Sequence, residues 1–229
     1  MRDYFLREYG SWSVLIISYA IGLGAAEGFT WLAAPVFMAL ALLVNSKQAF
    51  MKWSRGSEKR KSLSIFICQA ALAAAILFSV FGTRIIELLP LLVVPAAYLL
   101  VNIYLGEHPA LTELLGFAVL GLASVTARYL VDGVLDIRLF IAVALYFGAG
   151  VFKVKALLLK GRRNRLMAVS YVVFAAVVYG VFGIPIMIIT PLLENIISAA
   201  GLYGVRLRTT GWIEVVKGVL FSILAVSYL

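Results

Sequence analysis

The stretch NSKQAFMKWSRGSEKRK, Asn45 to Lys61, carries six Lys or Arg and one Glu between two apolar runs. FTWLAAPVFMALALLV precedes it from Phe29, and SLSIFICQAALAAAILFSVFG follows it to Gly82. Uncharged runs of about twenty residues match one helical crossing of a bilayer's hydrocarbon core. A dense cationic patch between two such runs reads as a cytoplasmic connection between membrane helices. The fold class follows from this alternation: an all-α integral membrane protein.

Composition agrees along the whole chain. Of 229 residues, 63% are hydrophobic and 14% charged, with a mean hydropathy of +1.03. A soluble domain of this length needs far more charge to cover its surface. A β-barrel is excluded because the apolar runs are continuous rather than alternating. The opening MRDYFLREYGSW is charged and aromatic, unlike a cleavable signal peptide. Cys68 stands alone in an apolar run, so no disulfide framework is expected. One His and one Cys leave no conventional zinc site, and no metal or other cofactor is expected.

Nine spans are expected, at about 12–28, 30–46, 62–82, 85–105, 111–130, 138–158, 166–183, 184–203 and 210–228, forming a single transmembrane domain over 1–229. Pro90 and Pro95 fall in the fourth and Pro185 and Pro191 in the eighth, so both should be kinked. With nine spans, one side of the membrane receives sixteen Lys or Arg and the other only Arg84, Arg128 and Arg138. Such a bias puts the N-terminus in the cytoplasm and the C-terminus outside, as in a multi-pass plasma-membrane protein.

Most cytoplasmic cations gather after spans 2 and 6, in KQAFMKWSRGSEKRK and KVKALLLKGRRNR. That placement suggests a degenerate repeat, about 12–105 and 111–203, followed by a last helix at 210–228. Lys47, Lys52, Lys153 and Lys155 lie closest to the membrane and are candidates to grip a phosphate from a common mouth, with Arg7 and Arg206 beside them. Cations farther out suit anionic lipid headgroups. They are tied to membrane loops, so the +9 charge does not point to nucleic acid.

Nine helices with functional loops after the second and sixth resemble the UbiA-type intramembrane prenyltransferases. That resemblance implies Asp-rich motifs holding magnesium and a prenyl diphosphate. Here Asn45 is followed by Ser46, Lys47, Gln48 and Ala49. Without hard oxygen ligands, magnesium-dependent prenyl transfer is disfavoured. Lysines can instead meet a phosphate directly as point charges.

REYGSWSVLIISYAIGLG, Arg7 to Gly24, is similar to the opening of the YwiC-like membrane proteins, with Tyr9 where that family has His. RLRTTGWIEVVKGVLFSIL, Arg206 to Leu224, is similar to the family's closing helix, with Gly211, Trp212 and Glu214 in place. The resemblance implies an architecture and no particular activity.

Isolated polar residues supply the remaining candidates. Glu194 and Asn195 lie within span 8, where a carboxyl is costly and must face the bundle interior. Lys217 lies at similar depth on the antiparallel span 9, so a buried Glu194–Lys217 pair is expected, either structural or the floor of a cytoplasmic cavity. Glu8 and Trp12 enter span 1; Glu107, His108 and Glu113 follow span 4; Trp212 and Glu214 enter span 9. Trp12 and Trp212 suit interfacial anchors, and Glu8 and Glu214 suit first helical turns. His108 could titrate between its flanking carboxylates. The opposite side presents no comparable grouping. Gly22, Gly24, Gly148 and Gly150 read as close helix-packing points.

Three function classes stay open. The chain binds a phosphorylated lipid or isoprenoid in a cytoplasm-facing cavity, or transports a small molecule or ion through the Glu–Lys pair, or serves as a non-catalytic accessory scaffold.

Overall fold

The computed structural model describes Tyr4 and residues 8–56, 59–159, 161–201 and 207–229, the last with side chains from Gly211. Helices α1 (Tyr9–Gly24), α2 (Ala33–Ser54), α3 (Lys59–Phe81), α4 (Ile85–Leu88) and α5 (Val93–Leu105) make the first half. Helices α6 (Ala110–Asp132), α7 (Ile137–Leu159), α8 (Arg162–Val181), α9 (Leu193–Ala199) and α10 (Leu207–Tyr228) make the second. No strand occurs among the described residues. Lipid offers no hydrogen bonds to backbone groups, so an apolar chain of this kind satisfies them within helices.

Among the described residues, six helical stretches are long and apolar enough to cross a membrane; the shorter Tyr9–Gly24 and Ile186–Ala199 are also apolar. One of the six, Lys59–Leu105, is 47 residues long. At about 1.5 Å per residue it would extend roughly 70 Å, over twice a hydrocarbon core. It breaks at Gly82, whose φ of +56° lies where residues other than glycine are strained.

The expected kinks take a specific form. A 3-10 stretch, Leu89–Leu92, starts α5 with Pro90 near its beginning. Another, Ile186–Leu192, contains Pro191 and leads straight into α9. Proline removes one backbone donor and clashes with an α-helical carbonyl, and the tighter winding accommodates both.

The basic stretch is more helical than expected. Asn45 to Ser54 continues α2, with Asn45 and Ser46 buried, and Lys59 already belongs to α3. Arg55 and Gly56 form a turn after α2, the latter with φ +79°. Ala, Gln, Met and Lys favour helix, and Lys52 in its last turn suits the helix dipole.

Among the described residues, two larger apolar cores share Phe147 at their border, beside a small third one of Ala156, Ala168 and Ala199. Val14, Leu15, Tyr19, Val36, Phe81, Leu120 and Ala127 join α1, α2, α3 and α6. Leu139, Val143, Tyr146, Val172, Tyr179, Ile188 and Phe221 join α7, α8, the second 3-10 stretch and α10. Buried tyrosines donate to backbone carbonyls: Tyr19 to Ala33 at 2.7 Å and Tyr179 to Ala142 at 2.8 Å. Large apolar side chains also line the outside, among them Ile67, Leu72, Phe78, Leu100 and Ile103. Exposed apolar surface on this scale, on helices of membrane length, makes this a membrane protein.

Close packing holds at Gly22, Gly24 and Gly148, where an added Cβ would fall within 3 Å of another helix. Gly150 is different: nothing lies within 4 Å of its Cβ position, so it is no packing point.

Candidate functional site

Four charges and an amide meet where α7, α9 and α10 converge. Lys153 comes from α7, Glu194 and Asn195 from the start of α9, and Glu214 and Lys217 from α10. The Lys153 ammonium donates to Glu194 and, at 2.5 Å, to Glu214. Lys217 donates to Glu194 at 2.9 Å, to Glu214 at 3.0 Å and to the Asn195 side-chain oxygen. Each carboxylate therefore bridges both ammoniums, and the formal charges cancel. Both lysines are buried; the Glu194 side chain is 21% exposed and the Glu214 side chain 40%. Burying an ammonium is tolerated only with its counter-charges in place.

The helices dictate this meeting. Glu194 lies in the first turn of α9, two residues beyond the 3-10 stretch, so the proline-broken segment sets its position. Glu214 and Lys217 are three residues apart and share one face of α10. An open, apolar cleft of about 260 Å³ adjoins the cluster, lined by Trp212, Ile213, Val216 and Lys217.

The family comparison covers the first part of the chain and ends before the residues of this array. The model of the YwiC-like protein family matches residues 6–128, over half the chain. The chain belongs to the YwiC-like family. No curated protein and no solved structure matches it. The match takes in the REYGSW opening, whereas the similar closing helix lies beyond it.

In this YwiC-like protein the remaining candidates form separate groups. Lys47 lies 3.5 Å from Glu8 and over the Tyr98 ring, 5.6 Å from its centroid. Lys52 lies over the Tyr4 ring at 4.2 Å. Lys155 pairs with Glu113 at 2.9 Å and donates to the His108 carbonyl at 3.2 Å. Glu107 pairs with Arg55 at 3.3 Å, and the His108 side chain is exposed. Trp12 is half-buried against the first core, while Trp212 is exposed. Arg7 and Arg206 lie outside the described residues. The ion pairs of Lys47 and of Lys153 share no residue, so these two lysines belong to distinct polar centres. Among the described residues, no three His, Cys, Asp or Glu side chains gather as metal ligands do.

Two groupings escaped the sequence reading. Asn102 donates to the Tyr98 hydroxyl at 3.1 Å, and the only hint was their four-residue spacing in an apolar run. At the other end of the molecule, Arg128 binds Asp132 at 3.4 Å, Asp136, and the Leu229 carbonyl at 2.8 Å. The expectation that this side holds no grouping is therefore corrected. The four-residue Arg128–Asp132 spacing was its signal.

Proposed function

We propose that this YwiC-like protein crosses the plasma membrane nine times, N-terminus in the cytoplasm, and binds an anionic phosphorylated lipid or isoprenoid in its cytoplasmic half. The topology is supported by which ends meet. Glu8–Lys47, Arg55–Glu107 and Lys155–Glu113 join helix ends at one level. Glu27–Asp132, Arg84–Tyr129 and Arg128–Asp136 join the alternate ends. We carry the likeness to a UbiA-like bundle as part of the proposal.

One observation carries the binding reading: a single oxygen of the half-exposed Glu214 bridges the two buried ammoniums of Lys153 and Lys217. A phosphate oxygen at that point takes the same two donors. Glu214 then turns outward into water, and the tail lies in the apolar cleft along Trp212 and Val216. Lysines here act as point charges, so the reading is binding without magnesium-dependent transfer. Native mass spectrometry with farnesyl monophosphate tests it. Glu214→Gln should increase retention by removing a competing carboxylate, and Lys217→Gln should decrease it. Retention unchanged in both variants would sink the reading.

A second reading, transport, is favoured by the broken helix that carries Glu194, since discontinuous helices commonly build transporter sites. Proton flux in proteoliposomes that Glu194→Gln abolishes would support it over binding alone; flux unaffected by that change would dismiss it.

A further inference from the structure

The first half of the chain contains buried polar atoms that the α7–α9–α10 cluster does not use. Asn102 and Thr112 are 2% and 1% exposed, and Asn102 Oδ1 and Thr112 Oγ1 have no hydrogen-bond partner. Buried polar atoms are nearly always paired, so two orphans in one place require an account. They are close by construction. A Cβ on Gly116 of α6 would stand 3.5 Å from the Tyr98 ring of α5, and α5 and α6 run antiparallel. One turn along each helix from that contact brings Asn102 opposite Thr112.

Neighbouring groups narrow what fills the gap. The Asn102 amide nitrogen is spent on the Tyr98 hydroxyl, so its free oxygen asks for a donor. The carbonyl four residues back from Thr112 is that of His108, which accepts from Lys155, and Thr112 Oγ1 makes no bond to it. Over the same Tyr98 ring sits Lys47, whose 3.5 Å pairing with the half-exposed Glu8 is loose. A cation beside two atoms wanting hydroxyl partners fits a charged headgroup with hydroxyls, not an apolar tail. Leu100, Ile103 and Tyr104 are exposed on the outer face of α5.

We infer that α2, α5 and α6 form a second ligand site, which takes a hydroxyl-bearing phosphodiester: phosphate on Lys47, hydroxyls on Asn102 Oδ1 and Thr112 Oγ1. This site is distinct from the Lys153–Lys217 cluster and does not depend on the reading given to that cluster.

The test compares wild type, Asn102→Leu, Thr112→Val and Lys47→Gln by native mass spectrometry and thermal melts. The probes are dioleoyl phosphatidylglycerol, dioleoyl phosphatidylcholine and soluble glycerol 3-phosphate. Wild type should retain phosphatidylglycerol over phosphatidylcholine by about tenfold, the worth of one to two hydrogen bonds. Each variant should lose that preference, while Arg138→Gln, at an exposed position in neither site, keeps it. If glycerol 3-phosphate competes equally well, the same chemistry is met from the cytosol rather than from the lipid. Equal retention in wild type, Asn102→Leu and Thr112→Val, with both variants melting higher, would mean that the oxygens hold only water and would overturn the proposal. Should the α5 and α6 variants fail to fold, Lys47→Gln decides: an intact preference overturns the proposal, and a lost one supports it.

Discussion

A Cβ on Gly22 would stand 2.0 Å from the carbonyl oxygen of Ser124, so α1 and α6 touch backbone to backbone. The neighbouring atom is main chain and cannot swing aside. Gly22→Ala should therefore push the helices apart and cost about 2–3 kcal/mol. Gly150→Ala, with open space at its Cβ, should change stability by less than about 0.5 kcal/mol. Thermal melts in detergent compare the two, and matching melts would disprove the close approach.

The Lys153–Glu194 contact predicts strong non-additivity. Lys153→Met strands two carboxylates on the single ammonium of Lys217 and should cost about 3 kcal/mol. Adding Glu194→Gln should restore part of that loss, because the array regains charge balance. A double-mutant cycle in a denaturant series measures the coupling. Strictly additive losses would mean that the two side chains do not interact.

The nine crossings that we propose predict a labelling pattern. In a Cys68→Ser background, cysteines at Arg55 and Arg162 should react with an impermeant maleimide only after the membrane is opened. Cysteines at Thr30 and Val134 should react in intact cells. Any pair of these positions labelling against this order breaks the nine-span topology.

Arg128 anchors the opposite end. Arg128→Met leaves Asp132 and Asp136 facing each other and frees the Leu229 carbonyl. A loss of about 2 kcal/mol is expected for these part-buried partners, compared with no more than about 0.5 kcal/mol for exposed Arg138→Met. Melting temperatures of the two variants provide the comparison.

Membrane character and helix order were legible because hydropathy and proline act locally. Pro90 and Pro191 mark their own breaks, and Gly82 marks its turn. The Lys217 contact with Glu194 was also within reach, since depth along two antiparallel helices can be counted. What could not be counted was rotation about each helix axis. Lys153 faces α9 and α10, whereas Lys155, two residues on, faces Glu113; a rotation of about 200° separates them. No local signal tells which of two nearby lysines turns inward. The partnership of Arg128 with Leu229 spans a hundred residues and was equally hidden.

The charged array takes Lys153 and Glu194 from one stretch of chain and Glu214 and Lys217 from a later one. Synthesis runs from the N-terminus, so the first two reach the membrane before their last partners exist. Until α10 arrives, Lys153 holds only Glu194, and the proline-broken segment is not locked to α7 through Glu214. Arrival of the final helix thus adds a second lysine and a second carboxylate to a pair already balanced, and leaves the net charge unchanged. A chain halted before Glu214 would keep the Lys153–Glu194 pair without the partners that α10 supplies.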